Sequence, residues 1–411
     1  MPQNMHIDPD KIAAAIEAIA RFTDTPAAHA RPTFSRPWAE ARAYVIDQAE
    51  RAGCRTWTDA FGNVHARPAA LPADTKAWLS GSHIDSVPTG GKYDGVVGVV
   101  VPLEILRAAH AAGVTASLEL VVFAEEEGTT FNLGMLGSRA WAGTLTAEAM
   151  AALRNNEGLS PLEAGRPFGV NPDRFANERL RPGDYRGLIE VHVEQGPAMW
   201  ERDRRVAIVT AINGRRQYSV TITGEANHAG STPMPYRRDA LAAAAEVLLQ
   251  TEQLPATLSP QSVLTVGQIS ASPNAINVIN GRVTFTIDFR SERDDLIARG
   301  DGEIRRHLAS IGEMRGVAVE LIQTESLSAM PMDENVIAAL RSAAARSNVP
   351  VVDTASGALH DAAVLAPILP TAMLFVASRG GISHNPDEFS RIEDITAAAG
   401  VLTTVVTEGG A

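Results

Sequence analysis

Apolar residues recur every three or four positions over 8–21 and again over 37–52, the period of an amphipathic helix. Two shorter runs, 77–82 (AWLSGS) and 118–124 (LELVVFA), read as strands. The second is apolar throughout, as a strand covered on both faces should be. A helical stretch over 96–111 lies between them. Residues 154–187 are rich in Asn, Pro, Gly and Arg and read as an excursion, after which 188–193 (LIEVHV) returns to strand character. The rhythm then changes: a strand is expected at 217–224, a helix at 238–253, strands at 263–270 and 282–289, a helix at 293–312 and a strand at 317–324. That is the β-α-β-β-α-β order of a small ferredoxin-like sandwich. A helix at 334–347, a strand at 371–377 and a helix at 392–407 close the chain. The pattern predicts an α/β fold: a mixed-sheet main domain from 1–213 and 331–411, interrupted by an inserted domain at 214–330. Asn213-Gly214 and Met330-Pro331 are the expected hinges.

Composition narrows the chemistry. The chain has 411 residues, 45% apolar and 20% charged, with no run near the roughly 20 apolar residues that span a bilayer. The N-terminal residues lack a secretory pattern, so the expected compartment is the cytoplasm, away from membranes. A net charge of -12 argues against a nucleic-acid partner, which demands clustered positive charge. Lys11, Lys76 and Lys92 are the only lysines, so recognition of an anion falls to arginine. A single cysteine, Cys54, excludes an intrachain disulfide and a multi-cysteine metal site. Any metal must be held by His, Asp and Glu.

Five places supply such side chains at strand ends or glycine-rich turns: Gly81-Ser82-His83-Ile84-Asp85, Gly90-Gly91-Lys92-Tyr93-Asp94-Gly95, Ala124-Glu125-Glu126-Glu127-Gly128, His192-Val193-Glu194-Gln195-Gly196-Pro197 and Ser383-His384-Asn385-Pro386-Asp387-Glu388. Each has an ordinary reading as well, a solvated strand end, an Asp-Gly turn or a surface acidic run. The triple glutamate is least ordinary, because adjacent carboxylates after a buried strand repel unless cations neutralise them. Together the five provide enough ligands for two divalent cations sharing a carboxylate, with a free glutamate as base. Imidazole and carboxylate suit zinc, manganese or cobalt alike.

These motifs, in this order from about residue 30 onward, resemble the metal-dependent amidohydrolases of the M20 peptidase superfamily, within its hydantoinase/carbamoylase branch of ureido-cleaving enzymes. The similarity includes GSHIDSV (81–87), GGKYDG (90–95), AEEEGTTF (124–131), HVEQG (192–196), GEANHAGSTPM (224–234), NVINGRVTFTIDFR (277–290) and GISHNP (381–386). The resemblance implies a di-metal catalytic domain with a ferredoxin-like lid and dimerisation domain, two divalent cations per chain (zinc or manganese, with cobalt or nickel as other options) and a homodimer. It implies His83, Asp94, Glu127, His192 and His384 as ligands, Asp94 bridging, with His83 and His192 on one cation and Glu127 and His384 on the other. It casts Glu126 as general base, Asp85 as the residue orienting His83, and His228 as an oxyanion donor that commonly reaches the partner subunit's site. Gln195, Asn277 and Arg290 fall at substrate-binding positions, Arg290 for a carboxylate. The implied substrate is a small carboxylate-bearing ureido compound. The stretches 211–240 and 330–332 look most like allantoate amidohydrolases, with N-carbamoyl-L-amino-acid hydrolase or β-ureidopropionase as the alternative. A catalytically dead binding protein on the same scaffold is the alternative of a different class. Two departures stand out: Leu359 replaces a usual glycine in the 356–362 segment, and Ala28-His29 stands where relatives often have paired glycines.

Overall fold

The computed structural model describes residues 5–408. Among them the strands are β1 (Cys54–Thr58), β2 (Val64–Pro68), β3 (Trp78–His83), β4 (Leu118–Phe123), β5 (Gly187–Val193), β6 (Val206–Ile212), β7 (Gly214–Thr223), β8 (Val263–Thr265), β9 (Ile269–Ser272), β10 (Arg282–Ser291), β11 (Ala318–Leu327), β12 (Met330–Pro331), β13 (Val351–Ser356) and β14 (Thr371–Val376). The chain divides into two compact units. One comprises Met1–Thr210, Met332–Thr354 and His360–Ala411, and the other Ala211–Pro331 and Ala355–Leu359.

In the first unit the strand order is β1-β2-β4-β3-β5-β14-β6, with β13 beside β6. The four central strands β4, β3, β5 and β14 run parallel to one another. Every residue of β4, β5 and β14 is buried, which explains their unbroken apolar runs. The helix Val96–Ala111 returns the chain from β3 to β4 and is buried along almost its whole length. It is covered in turn by the helices Pro9–Ala20, Arg36–Arg51 and Ile392–Glu408. Asp8 and Ser35 cap the first two of these, each accepting a backbone N–H in the opening turn. Caps of this type contribute about 1 kcal/mol each.

The second unit is an antiparallel sheet in the order β11-β7-β10, with β8 and β9 both on the outer edge of β10. Strand β10 alternates strictly. Val283, Phe285, Ile287 and Phe289 are buried with the helices Ala240–Gln253 and Asp294–Arg315, while Thr284, Thr286, Asp288 and Arg290 occupy the opposite face.

Three differences from the sequence reading have physical causes. The single strand expected at 263–270 is two short strands. Thr265 pairs with Asp288 but Ile269 pairs with Phe285, so the register slips by one residue across 266–268, the signature of a bulge. The segment 355–359 belongs to the second unit, although it lies within 331–411, because it returns to make hydrogen bonds there: Asn213 N–H donates to the Ser356 carbonyl at 2.8 Å. Strands β1, β2 and β13 carry too many interspersed polar residues to stand out from the sequence. Among the described residues no helix is long and apolar enough to cross a membrane.

Candidate active site

Because β3, β4, β5 and β14 are parallel, their carboxyl ends lie on one edge of the sheet, where ligands of open α/β folds gather. His83 ends β3, Glu125 to Glu127 follow β4, His192 is the penultimate residue of β5, and His384 lies in the segment after β14. Asp94 enters from the turn between β3 and its helix. Gly95 closes that turn at φ +67°, and a Cβ there would sit 2.5 Å from the His83 ring, so only glycine lets the Asp94 backbone come this close.

The outcome is two groups of three side chains with Asp94 common to both: His83, Asp94 and His192, and Asp94, Glu127 and His384. Within each group the ligand atoms lie within 4.8 Å of one another. The two oxygens of Asp94 divide the work. Oδ1 is 3.2 Å from His192 Nε2 and 3.8 Å from His83 Nε2, while Oδ2 is 3.2 Å from His384 Nε2. Glu127 Oε2 is 3.6 Å from His384 Nε2, and Glu126 Oε2 is 3.7 Å from His83 Nε2. A third group, Glu190, His192 and His360, meets the same distance criterion, but both oxygens of Glu190 already accept hydrogen bonds, from Ser82 Oγ and Ala362 N.

The ring nitrogens turned away from the centre are fixed by carbonyls. His83 Nδ1 is 2.9 Å from the Asp85 carbonyl, and His192 Nδ1 is 2.9 Å from the Val193 carbonyl. A carbonyl only accepts, so Nδ1 carries a proton in both rings and Nε2 is the nitrogen that faces the centre. It is therefore the Asp85 carbonyl that makes the hydrogen bond orienting His83. The Asp85 carboxylate, 3.8 Å from that nitrogen, accepts instead from the Glu127 N–H at 3.1 Å.

The electrostatics also fit divalent cations. Burial pushes Asp85 up to about 6, Glu125 to about 7 and Glu127 to about 8, with neighbouring carboxylates adding to the last two. Burial and the charges of Asp361 and Glu127 hold Glu126 well above the usual carboxylate range. Burial lowers His83 to about 4. At His192 burial acts the same way, but the hydrogen bond to Asp94 outweighs it and raises the ring to about 9. Asp94 is held low by His192 and His384 against its own burial. This much negative charge, unfavourable by itself, becomes favourable once cations take the place of the protons.

Gln195 completes this side. Its Nε2 donates to Asp94 Oδ2 at 3.0 Å and to Ser383 Oγ at 3.3 Å, and its Oε1 is buried without a partner, an acceptor left for an incoming N–H. The remaining three sequence-predicted residues belong to the second unit. His228 and Asn277 are brought together beyond the Thr223 end of β7: His228 pairs with Val278, and Ala229 N–H donates to the Asn277 carbonyl. His228 is exposed, and its Nδ1 accepts from the N–H groups of Gly230 and Ser231 at 3.1 Å each. The neutral ring must then carry its proton on Nε2. Arg290 stands at the other end of the sheet, opposite Arg215. Thr223 lies eight positions beyond Arg215 along β7, about 26 Å of strand.

Arg290 is not alone. Asp288 Oδ1 and Oδ2 accept from its Nε and Nη2 at 2.8 and 3.1 Å, and the Gly357 carbonyl accepts from Nη1 at 2.8 Å. Three of five guanidinium protons are engaged, leaving two for a ligand. The group lines a cavity of about 630 Å³ with Gln217, Thr265, Gln268, Thr286 and Asp288. The roles of Asp288 and of the Gly357 carbonyl were not read from the sequence. The Asp-x-Arg spacing in β10 was the available signal, since it puts both side chains on one face of a strand.

Residues 79–408 match the family model described as Peptidase family M20/M25/M40. The chain belongs to this family. It is 37% identical to N-carbamoyl-L-amino acid amidohydrolase of Geobacillus stearothermophilus, over 90% of this chain and 91% of that one. It is 33% identical to allantoate amidohydrolase of Bacillus subtilis (strain 168), over 92% and 91%. Among solved structures, a hydantoinase/carbamoylase family amidase from Burkholderia multivorans is 34% identical with a TM-score of 0.91, covering 98% of both chains. M20 membership agrees with the ligand groups and with use of divalent metal.

Proposed function

We propose that the protein hydrolyses a ureido C–N bond of a small carboxylate-bearing substrate, with allantoate as the first choice, giving ammonia, carbon dioxide and a ureidoglycine. The observation that carries this reading is the pair of ligand groups sharing Asp94, with Glu126 beside them. His83, Asp94 and His192 would hold one divalent cation and Asp94, Glu127 and His384 the other, zinc or manganese in the first instance. Bound there, the cations would polarise the ureido carbonyl and lower the pKa of a water. Glu126 takes the proton from that water and returns it to the departing nitrogen. Arg290 binds the carboxylate through its two free protons, Gln195 and Asn277 align the substrate, and His228 Nε2 donates to the developing oxyanion.

The strand and helix order of the second unit supports reading it as a ferredoxin-like lid and dimerisation domain. The span of roughly 26 Å between the ends carrying His228 and Arg290 supports a homodimer, because one ureido acid cannot touch both ends of one sheet. His228 would then serve the site of the partner subunit. Two predictions test this. His228→Ala should lower kcat by about 10²–10³ while leaving metal content unchanged, as measured by steady-state kinetics and elemental analysis. Mixing His228→Ala and Arg290→Ala proteins under subunit exchange, assayed at substrate far below the wild-type KM where each alone turns over little, should restore about a quarter of the wild-type rate, since half the dimers are mixed and each of those has one intact site. No recovery in verified mixed dimers would place both residues in the same subunit's site.

The relative from Geobacillus favours a second reading, N-carbamoyl-L-amino-acid hydrolysis. An ammonia-release screen with manganese decides between them, comparing allantoate, N-carbamoyl-β-alanine and several N-carbamoyl-L-amino acids. Turnover of allantoate with the highest kcat/KM supports the first choice, and a preference for a carbamoyl amino acid supports the second. No turnover of any of them, in protein that carries its metal, would favour a binding protein on this scaffold.

A further inference from the structure

The turn at 90–95 and the segment at 383–388 are nearly three hundred residues apart in the chain, and each delivers one ligand to the second group, Asp94 and His384. One buried side chain joins them. Glu388 is 3% exposed, and its Oε2 accepts the backbone N–H groups of Tyr93 at 2.8 Å and Asp94 at 3.0 Å. Its Oε1 accepts the Ser383 hydroxyl at 3.0 Å, and Ser383 Oγ lies 3.4 Å from Asp94 Oδ2. The Thr89 hydroxyl donates to the His384 carbonyl at 3.2 Å, a second tie between the same segments. Gly91 makes room for the arrangement, since a Cβ there would lie 2.3 Å from Glu388 Oε2.

We infer that Glu388 is a positioning residue that locks the Asp94 turn to the His384 segment and so sets the geometry of the second cation group. This rests on the two-cation reading above. Glu388 acts through the backbone: holding the Asp94 N–H fixes where that residue's Cα, and hence its bridging carboxylate, can sit. The two groups depend on it unequally. His83 and His192 are held by β3 and β5 within the sheet. Glu127 and His384 both lie outside strands, His384 with φ +52° and a half-exposed side chain. Loss of the lock should therefore fall on the Asp94, Glu127 and His384 group.

The test is metal retention. Wild-type protein, Glu388→Ala and Glu388→Gln are loaded with manganese, competed with a graded chelator series and analysed for bound metal, alongside melting of the metal-free forms. Wild type should hold two ions per chain. Glu388→Ala should keep one ion near wild-type affinity and bind the other about 10–100-fold more weakly, the usual effect of removing a partner that supports ligands, with metal-free melting near wild type. Glu388→Gln should recover most of the loss, because its amide oxygen can accept both N–H groups and its NH2 can donate to Ser383 Oγ. Gly91→Ala, which drives the Glu388 side chain out of place, should reproduce the selective loss and serves as the second variant if Glu388→Ala does not fold. Two ions held as tightly in Glu388→Ala as in wild type would overturn the inference. Wild-type protein that binds neither ion would instead overturn the two-cation reading, and this inference with it.

Discussion

Glu126→Gln should lower kcat by about 10²–10⁴, the contribution of a positioned general base, while the protein still binds its cations. The amide keeps the shape of the carboxylate but cannot accept a proton, so the ligand groups and the carboxylate pocket are undisturbed. Its neighbours explain the size of the effect. Glu126 Oε2 lies 3.7 Å from His83 Nε2, whereas Glu127 faces His384, and Asp85 and Glu125 each accept backbone N–H groups of the 127–131 turn through one oxygen. Single-turnover and steady-state rates, measured with elemental analysis on the same preparation, check the prediction. Wild-type rates from Glu126→Gln would remove Glu126 from the chemistry.

Arg290→Ala should raise KM for a carboxylate-bearing substrate by about 10–100-fold, from hydrogen bonds to a charged group worth roughly 1.5–3 kcal/mol, with a smaller change in kcat. The geometry makes a further distinction. Asp288 fixes the guanidinium through Nε and Nη2, and the Gly357 carbonyl takes a third proton. A lysine has no planar fork to satisfy Asp288 and a substrate carboxylate together, so Arg290→Lys should recover little. A substrate whose carboxylate is replaced by a neutral amide should bind wild type and Arg290→Ala about equally. Unchanged KM for the carboxylate substrate would move the anion pocket elsewhere.

The candidate ligand residues could be picked out in the sequence because of how parallel strands work. Each ends at the same edge, so a His or Glu closing an apolar run, as His83, Glu127 and His192 do, marks that edge without knowledge of the strand order. Asp94 was legible through its flanking glycines. What the sequence hid were contacts between remote segments. Nothing local distinguishes Glu388 from any acidic residue in a loop, yet it caps the Asp94 turn. The part played by Asp85 was half legible. Its position two residues after His83 implied that it orients the ring, but its carbonyl makes the bond and its carboxylate serves the Glu127 backbone. Leu359 stood out as a departure from its relatives. It is 36% exposed in the second unit, two residues after the Gly357 carbonyl that holds Arg290. Strand β2 was hidden for a different reason. His65 and Arg67 in β2 are buried polar residues paired with Glu119, and their presence breaks the apolar pattern by which strands are recognised.

The central claim is that residues scattered over three hundred positions hold two cations through one shared carboxylate. A crystal structure of manganese-loaded protein, with anomalous difference maps, tests it most directly. The account predicts two peaks per chain about 3.5–4 Å apart, one within reach of His83, Asp94 and His192 and the other of Asp94, Glu127 and His384, with Asp94 touching both. A single peak, or metal held away from Asp94 in protein of full activity, would contradict it.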